Sequence, residues 1–188
     1  MKLKLIAAAS LVAFSALANA QSSATLTYGV KDTDATPSVQ SHVLNMSVKT
    51  RAFTNVDVDA GINTETADIA RTVTNRYEIG VTPGFDLSSV LRGDVRVATG
   101  IKQKSGVQDF GYYSVEPGIN AKFGDISARV AYRYRTAYDS NVNADQSQTM
   151  RYSVGYAITK TDSIKLGYDV QRGDGANKQT TIAYTRSF

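Results

Sequence analysis

Residues 126–138 read ISARVAYRYRTAY. Ile126, Ala128, Val130, Tyr132, Tyr134 and Tyr138 share one parity, and Arg129, Arg133 and Arg135 share the other. A period of two belongs to an extended strand, whose successive side chains leave opposite faces. The same pattern recurs on either side. In 148–159, Met150, Tyr152, Val154, Tyr156 and Ile158 oppose Arg151, Ser153, Gly155 and Ala157. In 163–172, Ile164, Leu166, Tyr168 and Val170 oppose Lys165, Gly167 and Asp169. In 87–101, Leu91, Val95 and Val97 oppose Arg92, Asp94 and Arg96. Such a sheet has one apolar face and one charged face.

The pattern yields candidate strands at 42–54, 69–82, 87–101, 110–122, 126–138, 148–159, 163–172 and 178–188. Pro83-Gly84, Gly124-Asp125 and Lys160-Thr161-Asp162 read as short turns. The stretches 55–68, 103–106, 140–146 and 173–177 read as mostly longer loops. Short and long connections alternate, as in bacterial outer-membrane barrels. Pro117-Gly118 interrupts the fourth candidate strand and predicts a bulge or an earlier end there. TLTYGV at 25–30 also alternates, which makes nine strands, whereas closed bacterial barrels have an even number. Three resolutions stand. Residues 21–41 are a leader before eight strands, with Pro37 marking a break. Alternatively, 24–31 is the first strand and two later segments are miscounted. In the third case the region 50–72 hides an extra strand, since Asn55-Val56-Asp57-Val58 continues an alternation, and the total is ten. The reading adopted is all-β, a single antiparallel transmembrane barrel of eight strands, with ten left open.

Residues 1–20 have the form of an export signal. Lys2 and Lys4 precede an apolar run, and Ala18-Asn19-Ala20 fits cleavage before Gln21. Losing those two lysines takes the formal charge from +4 to +2, so the basic balance is no argument for a nucleic-acid partner. There is no cysteine to form a disulfide framework. The mature part has no apolar run long enough for a transmembrane helix, so membrane insertion requires a closed sheet. A soluble barrel is also two-faced. Charges of both signs in mid-strand favour lipid outside and a charged lumen. Arg76, Arg92, Arg96, Arg129, Arg133, Arg135, Arg151 and Lys165 share the lumen with Glu78, Asp94, Glu116 and Asp169. Ten of the eleven tyrosines take the apolar parity, Tyr112 being the exception. An apolar ring with a polar tip suits a membrane boundary.

The chain ends TIAYTRSF, with Ile182, Tyr184 and Phe188 alternating. This resembles the terminal strand of Gram-negative outer-membrane proteins, although Arg186 departs from the pattern. The mature chain as a whole resembles small OmpA- or OmpX-type barrels, or a small porin-like protein. That resemblance implies a bacterial outer-membrane location in the cell envelope. It implies outer-membrane lipid, lipopolysaccharide, periplasmic chaperones and the barrel assembly machinery as partners, with Ile182, Tyr184 and Phe188 as the assembly signal.

Three functional expectations follow. The first is an integral barrel with a structural or minor pore role, its narrow lumen plugged by paired charges. The second is a surface interaction protein acting through loops 55–68 and 139–147, which carry Asp57, Asp59, Glu65, Asp68, Asp139 and Asp145. The third and weakest is a membrane hydrolase or acyltransferase. Its only base would be His42, the single histidine, read at the periplasmic end of a strand on the lipid face. Ser41 and Ser47 have the opposite parity, and no partner acid is evident in the sequence. No catalytic, cofactor or metal site is assigned. Asp57, Asp59 and Gly61 do not complete an EF-hand, and GDGAN at 173–177 precedes a strand.

Overall fold

The computed structural model describes residues 21–34, 39–68, 72–139 and 145–188. Residues 1–20, read above as an export signal, and Pro37 lie outside the described residues. Ten strands follow in order: β1 Ser22–Thr33, β2 Gln40–Phe53, β3 Val56–Ala67, β4 Val73–Asp86 and β5 Leu91–Lys104, then β6 Phe110–Phe123, β7 Ile126–Ala137, β8 Gln146–Ala157, β9 Asp162–Gly173 and β10 Asn177–Ser187. Each pairs antiparallel with its chain neighbour, and β1 pairs with β10 to close the barrel. Tyr28 lies opposite Ile182 on one side and Leu44 on the other. The Phe188 amide donates to the Ser22 carbonyl at 2.9 Å and ties down the last residue at the seam.

The strand number is ten, the alternative to the favoured eight. The N-terminal segment is a full strand and not a leader. The expected loop at 55–68 is β3, and only residues 54–55 connect it to β2. Its sequence VDVDAGINTETA places Asp57, Asp59, Asn63 and Glu65 on the inward parity. An acidic face looks like a solvated loop until the cations it meets are known. Restoring β1 also reverses the direction of β2. His42 therefore sits at the opposite end from the one expected, beside the longer loops.

Two proline positions depart from the turn readings. Pro83-Gly84 lies inside β4, and the turn is residues 87–90, where the Leu87 and Ser88 amides donate to the Leu91 carbonyl at 2.9 and 3.1 Å. β6 runs through Pro117 without a change of register, from Val115 opposite Tyr134 to Gly118 opposite Ala131. Proline there removes a donor from the ladder and introduces no bulge. The register irregularity lies between Arg51 and Phe53 instead.

The faces are sorted as the alternation predicts. Met46 is 60% exposed, Leu166 62% and Ile182 52%, all on the outside. An apolar belt around a closed sheet is stable in hydrocarbon, which offers backbone groups no partners and here need offer none. Tyr112 is the tyrosine that points inward, 1% exposed. One rim has the short connections 54–55, 87–90, 124–125 and 158–161, together with the described chain ends. The other has 34–39, 68–72, 105–109, 138–145 and 174–176. We call these the turn end and the loop end. Barrel diameter rises roughly linearly with strand number, so ten strands enclose a lumen about a quarter wider than eight.

Candidate functional site: the charged lumen

The inward positions of β3 to β8 build one wall of ion pairs. Glu116 accepts from Arg151 Nη1 at 2.9 Å and from Arg129 Nη2 at 3.2 Å. Arg129 also bonds Asp94, which accepts from Asn120 Nδ2 at 2.6 Å. Arg151 Nε continues to Asp169 at 3.1 Å. A second node is Glu78, which accepts from Arg96 at 2.5 Å, from Arg133, and from the Tyr112 hydroxyl at 3.0 Å. Arg96 also holds Asp59 with Nε at 2.9 Å. Charge-assisted bonds of this kind are the strong ones, and each satisfies a group withdrawn from bulk water.

Two further pairs of cations converge near the loop end. Lys31 Nζ and Arg76 Nη2 reach Glu65 at 2.6 and 3.3 Å. Lys102 and Arg135 reach Asp145 at 2.6 and 3.0 Å. Burial pushes the Asp145 carboxyl up, but Arg135 and Lys102 outweigh it and hold the group below the usual carboxylate range. Toward the turn end, Lys49 and Arg51 share Asp57 at 3.3 and 3.1 Å. Arg92 stands apart from these clusters with Asp86 at 3.4 Å. Lys165 makes no ion pair among the described residues.

Lys31, Lys49, Arg51, Asp57, Asp59, Glu65, Lys102 and Asp145 were absent from the network read in the sequence. For Asp57, Asp59 and Glu65 the signal was present, since Val58, Ala60 and Ile62 alternate with them. Lys31 extends the parity of Thr25 and Thr27 in β1.

The facing wall differs in kind. Thr25, Thr27, Asn45, Gly167, Thr181 and Ala183 point inward from β1, β2, β9 and β10. These are short neutral side chains, although the same strands also turn Lys31, Lys49, Arg51, Lys165 and Asp169 inward; the Thr25 and Thr185 hydroxyls bond each other at 2.8 Å. Glycine has a specific task on the charged wall. A Cβ on Gly100 would strike the Tyr77 carbonyl and the Tyr112 ring, so its absence seats the tyrosine that bonds Glu78.

Outside the lumen, His42 stacks on Tyr28 with ring centroids 5.9 Å apart, and the Tyr28 hydroxyl lies 2.7 Å from His42 Nδ1. Asp68 lies 3.4 Å from His42 Nε2, an acid that sequence reading had not placed there. Ser41, the neighbouring serine among the described residues, is 2% exposed on the inward parity and does not join them. At the turn end, Arg186 has a partner in Asp162 at 3.8 Å, and the Tyr184 hydroxyl donates to the same carboxylate at 2.5 Å. The arginine that broke the terminal pattern is thus held at the rim by the first residue of β9, its ladder partner.

No protein-family model matches the sequence, and no curated protein matches it. Solved structures do match in shape. The chain is similar to an outer membrane channel from Pseudomonas putida F1, with a TM-score of 0.59 at 8% identity, over 90% of this chain and 96% of the other. It is similar to the beta domain of the Bordetella autotransporter Brka, with a TM-score of 0.56 at 9% identity, covering 89% and 99%. It is also similar to the NanC porin, with a TM-score of 0.52 at 10% identity, covering 88% and 100%. The chain has the fold of the outer-membrane β-barrels, a fold shared by channels and by an autotransporter domain.

Proposed function

We propose that this protein is a narrow water-filled channel of the bacterial outer membrane that favours anions. The observation that carries this reading is the asymmetry of the lumen. Arginine pairs crowd one wall, the other is lined mid-barrel by short neutral side chains with Lys31, Lys49 and Lys165 among them, and inward cations remain open to solvent. The Lys49 side chain is 55% exposed and that of Arg151 40%. A wall of pairs plugs an eight-stranded lumen but only narrows one of ten strands. Cationic groups lining what remains attract anions and repel cations. On this reading the turn end faces the periplasm.

The mature barrel, refolded and inserted into planar bilayers, is expected to show small discrete openings whose reversal potential in a salt gradient lies on the anion side. Complete electrical silence would return the lumen to a plugged, structural role. The adhesion reading has lost the 55–68 loop and has no observation in its favour. Among the described residues the enzymatic reading has no nucleophile beside His42. The lipid and lipopolysaccharide partners follow from the belt and the proposed location.

The terminal motif yields a separate expectation. Phe188 is 65% exposed and its backbone bond to Ser22 does not need the ring. Phe188→Ala is therefore expected to slow assembly in cells while leaving the denaturation midpoint of preformed barrel unchanged. An equal loss of stability would assign the ring a packing role instead.

A further inference from the structure

Lys165 differs from the cations of the ion-pair wall; Lys104 and Lys122, on the inward parity of β5 and β6, also lack a carboxylate partner among the described residues but stand at the rims. Lys31, Lys49, Arg76, Arg96, Lys102, Arg129, Arg133, Arg135 and Arg151 each have a carboxylate partner. Lys165 has none among the described residues, and it is exposed although it points into the barrel. Its neighbours across the ladders are Ala183 and Gly155, neither of which can carry a counter-charge. The charged groups acting on it are Arg151, Arg129 and Lys49, and one acid, Asp169. That acid is already bonded by Arg151 at 3.1 Å. The acid beside Lys49, Asp57, is shared with Arg51. Arg129, Arg151, Lys49 and Arg51 take up Asp94, Glu116, Asp169 and Asp57, which leaves Lys165 as the surplus cation of the turn-side third of the lumen. An uncompensated cation beside a low-dielectric wall is costly unless a counterion joins it.

We infer that Lys165 forms a binding step for a small oxyanion, a carboxylate or a phosphate, inside the lumen. This deepens the channel reading and rests on it for its role in transport, but the binding itself does not require conduction. Lysine suits a transient step, because its compact charge is a point contact without the bidentate fork of arginine. A conducting site must hold its ion weakly enough to release it. The paired arginines above it would hand an anion on without competing, since their own carboxylates already occupy them.

Inorganic phosphate is the probe. Its binding to the refolded barrel in detergent is measured by calorimetry, and its inhibition of chloride current is measured in bilayers. Lys165→Gln is expected to weaken both on the order of tenfold, the scale on which a focused charge raises local counterion concentration. Lys165→Arg retains binding, and Lys178→Gln, at an exposed outward position at the loop end, changes neither. Heat-modifiable gel migration checks that each variant is folded. If Lys165→Gln does not fold, Lys49→Gln carries the same expectation. Phosphate binding that is absent in the parent, or unchanged in Lys165→Gln, overturns the site. Lys165-dependent binding in an electrically silent barrel supports the site and removes the channel reading instead.

Discussion

Glu116→Gln is expected to destabilise the barrel by about 3 kcal/mol, the low end of what is lost when one partner of a buried ion pair is removed. The Glu116 side chain is 6% exposed and holds both Arg129 and Arg151. Glutamine keeps its shape but leaves two guanidinium groups with one fewer counter-charge. Arg151 retains Asp169, and its side chain is 40% exposed, so lumenal water offsets part of the loss. The check is reversible urea unfolding in lipid vesicles. The double variant Glu116→Gln with Arg151→Gln should cost less than the sum of the two single variants, because the second substitution removes a group the first left unpaired. Strict additivity, or a single-variant loss well under about 1 kcal/mol, would mean that the node is solvated and contributes little.

Leu166→Arg is expected to cost about 2–4 kcal/mol in the same measurement, the range for a cation on the lipid face near the bilayer midplane. Leu166 is 62% exposed on the outside and lies opposite Ile182 and Val154. One residue earlier the chain carries Lys165, whose side chain points into the lumen and away from lipid. The contrast between adjacent positions tests which face meets lipid. If Leu166→Arg were silent in vesicles, the apolar belt would not be in hydrocarbon and the membrane reading would fail. Arg186 shows how the same charge is tolerated at the rim, where Asp162 meets it and the long stem can reach the interface.

Together these variants separate two kinds of stabilisation. The belt is stabilised by transfer of apolar surface to lipid, with no directional requirement. The lumen depends on geometry, since its charges are tolerable only where acid and base meet. The channel and anion-site proposals depend on the surplus left after that pairing. A lumen with every cation matched would offer a passing anion nothing to bind.

Much of this was legible in ISARVAYRYRTAY and its relatives along the chain. Parity is a local property, and the backbone pleat alone assigns Arg129, Arg133 and Arg135 to one face and Val130 and Tyr132 to the other. The same argument placed Tyr112 apart from the remaining tyrosines. Parity raised β3 only as the ten-strand alternative, because Asp57, Asp59 and Glu65 carry the composition of a solvated loop. It also placed His42 at the wrong end, because strand direction depends on how many strands precede it.

The sequence by itself therefore determined a two-faced sheet and the membership of each face. Only the tertiary structure decided the ten-strand closure, the width of the lumen and which charges meet. The pairing of Glu78 with Arg133, or of Arg96 with Asp59, joins inward positions brought together by the stagger of the closed barrel. That stagger depends on every strand at once, so no single stretch of sequence encodes it. Lys165 illustrates the division: its inward direction is read from its neighbours, but its lack of a partner is a property of the whole ring.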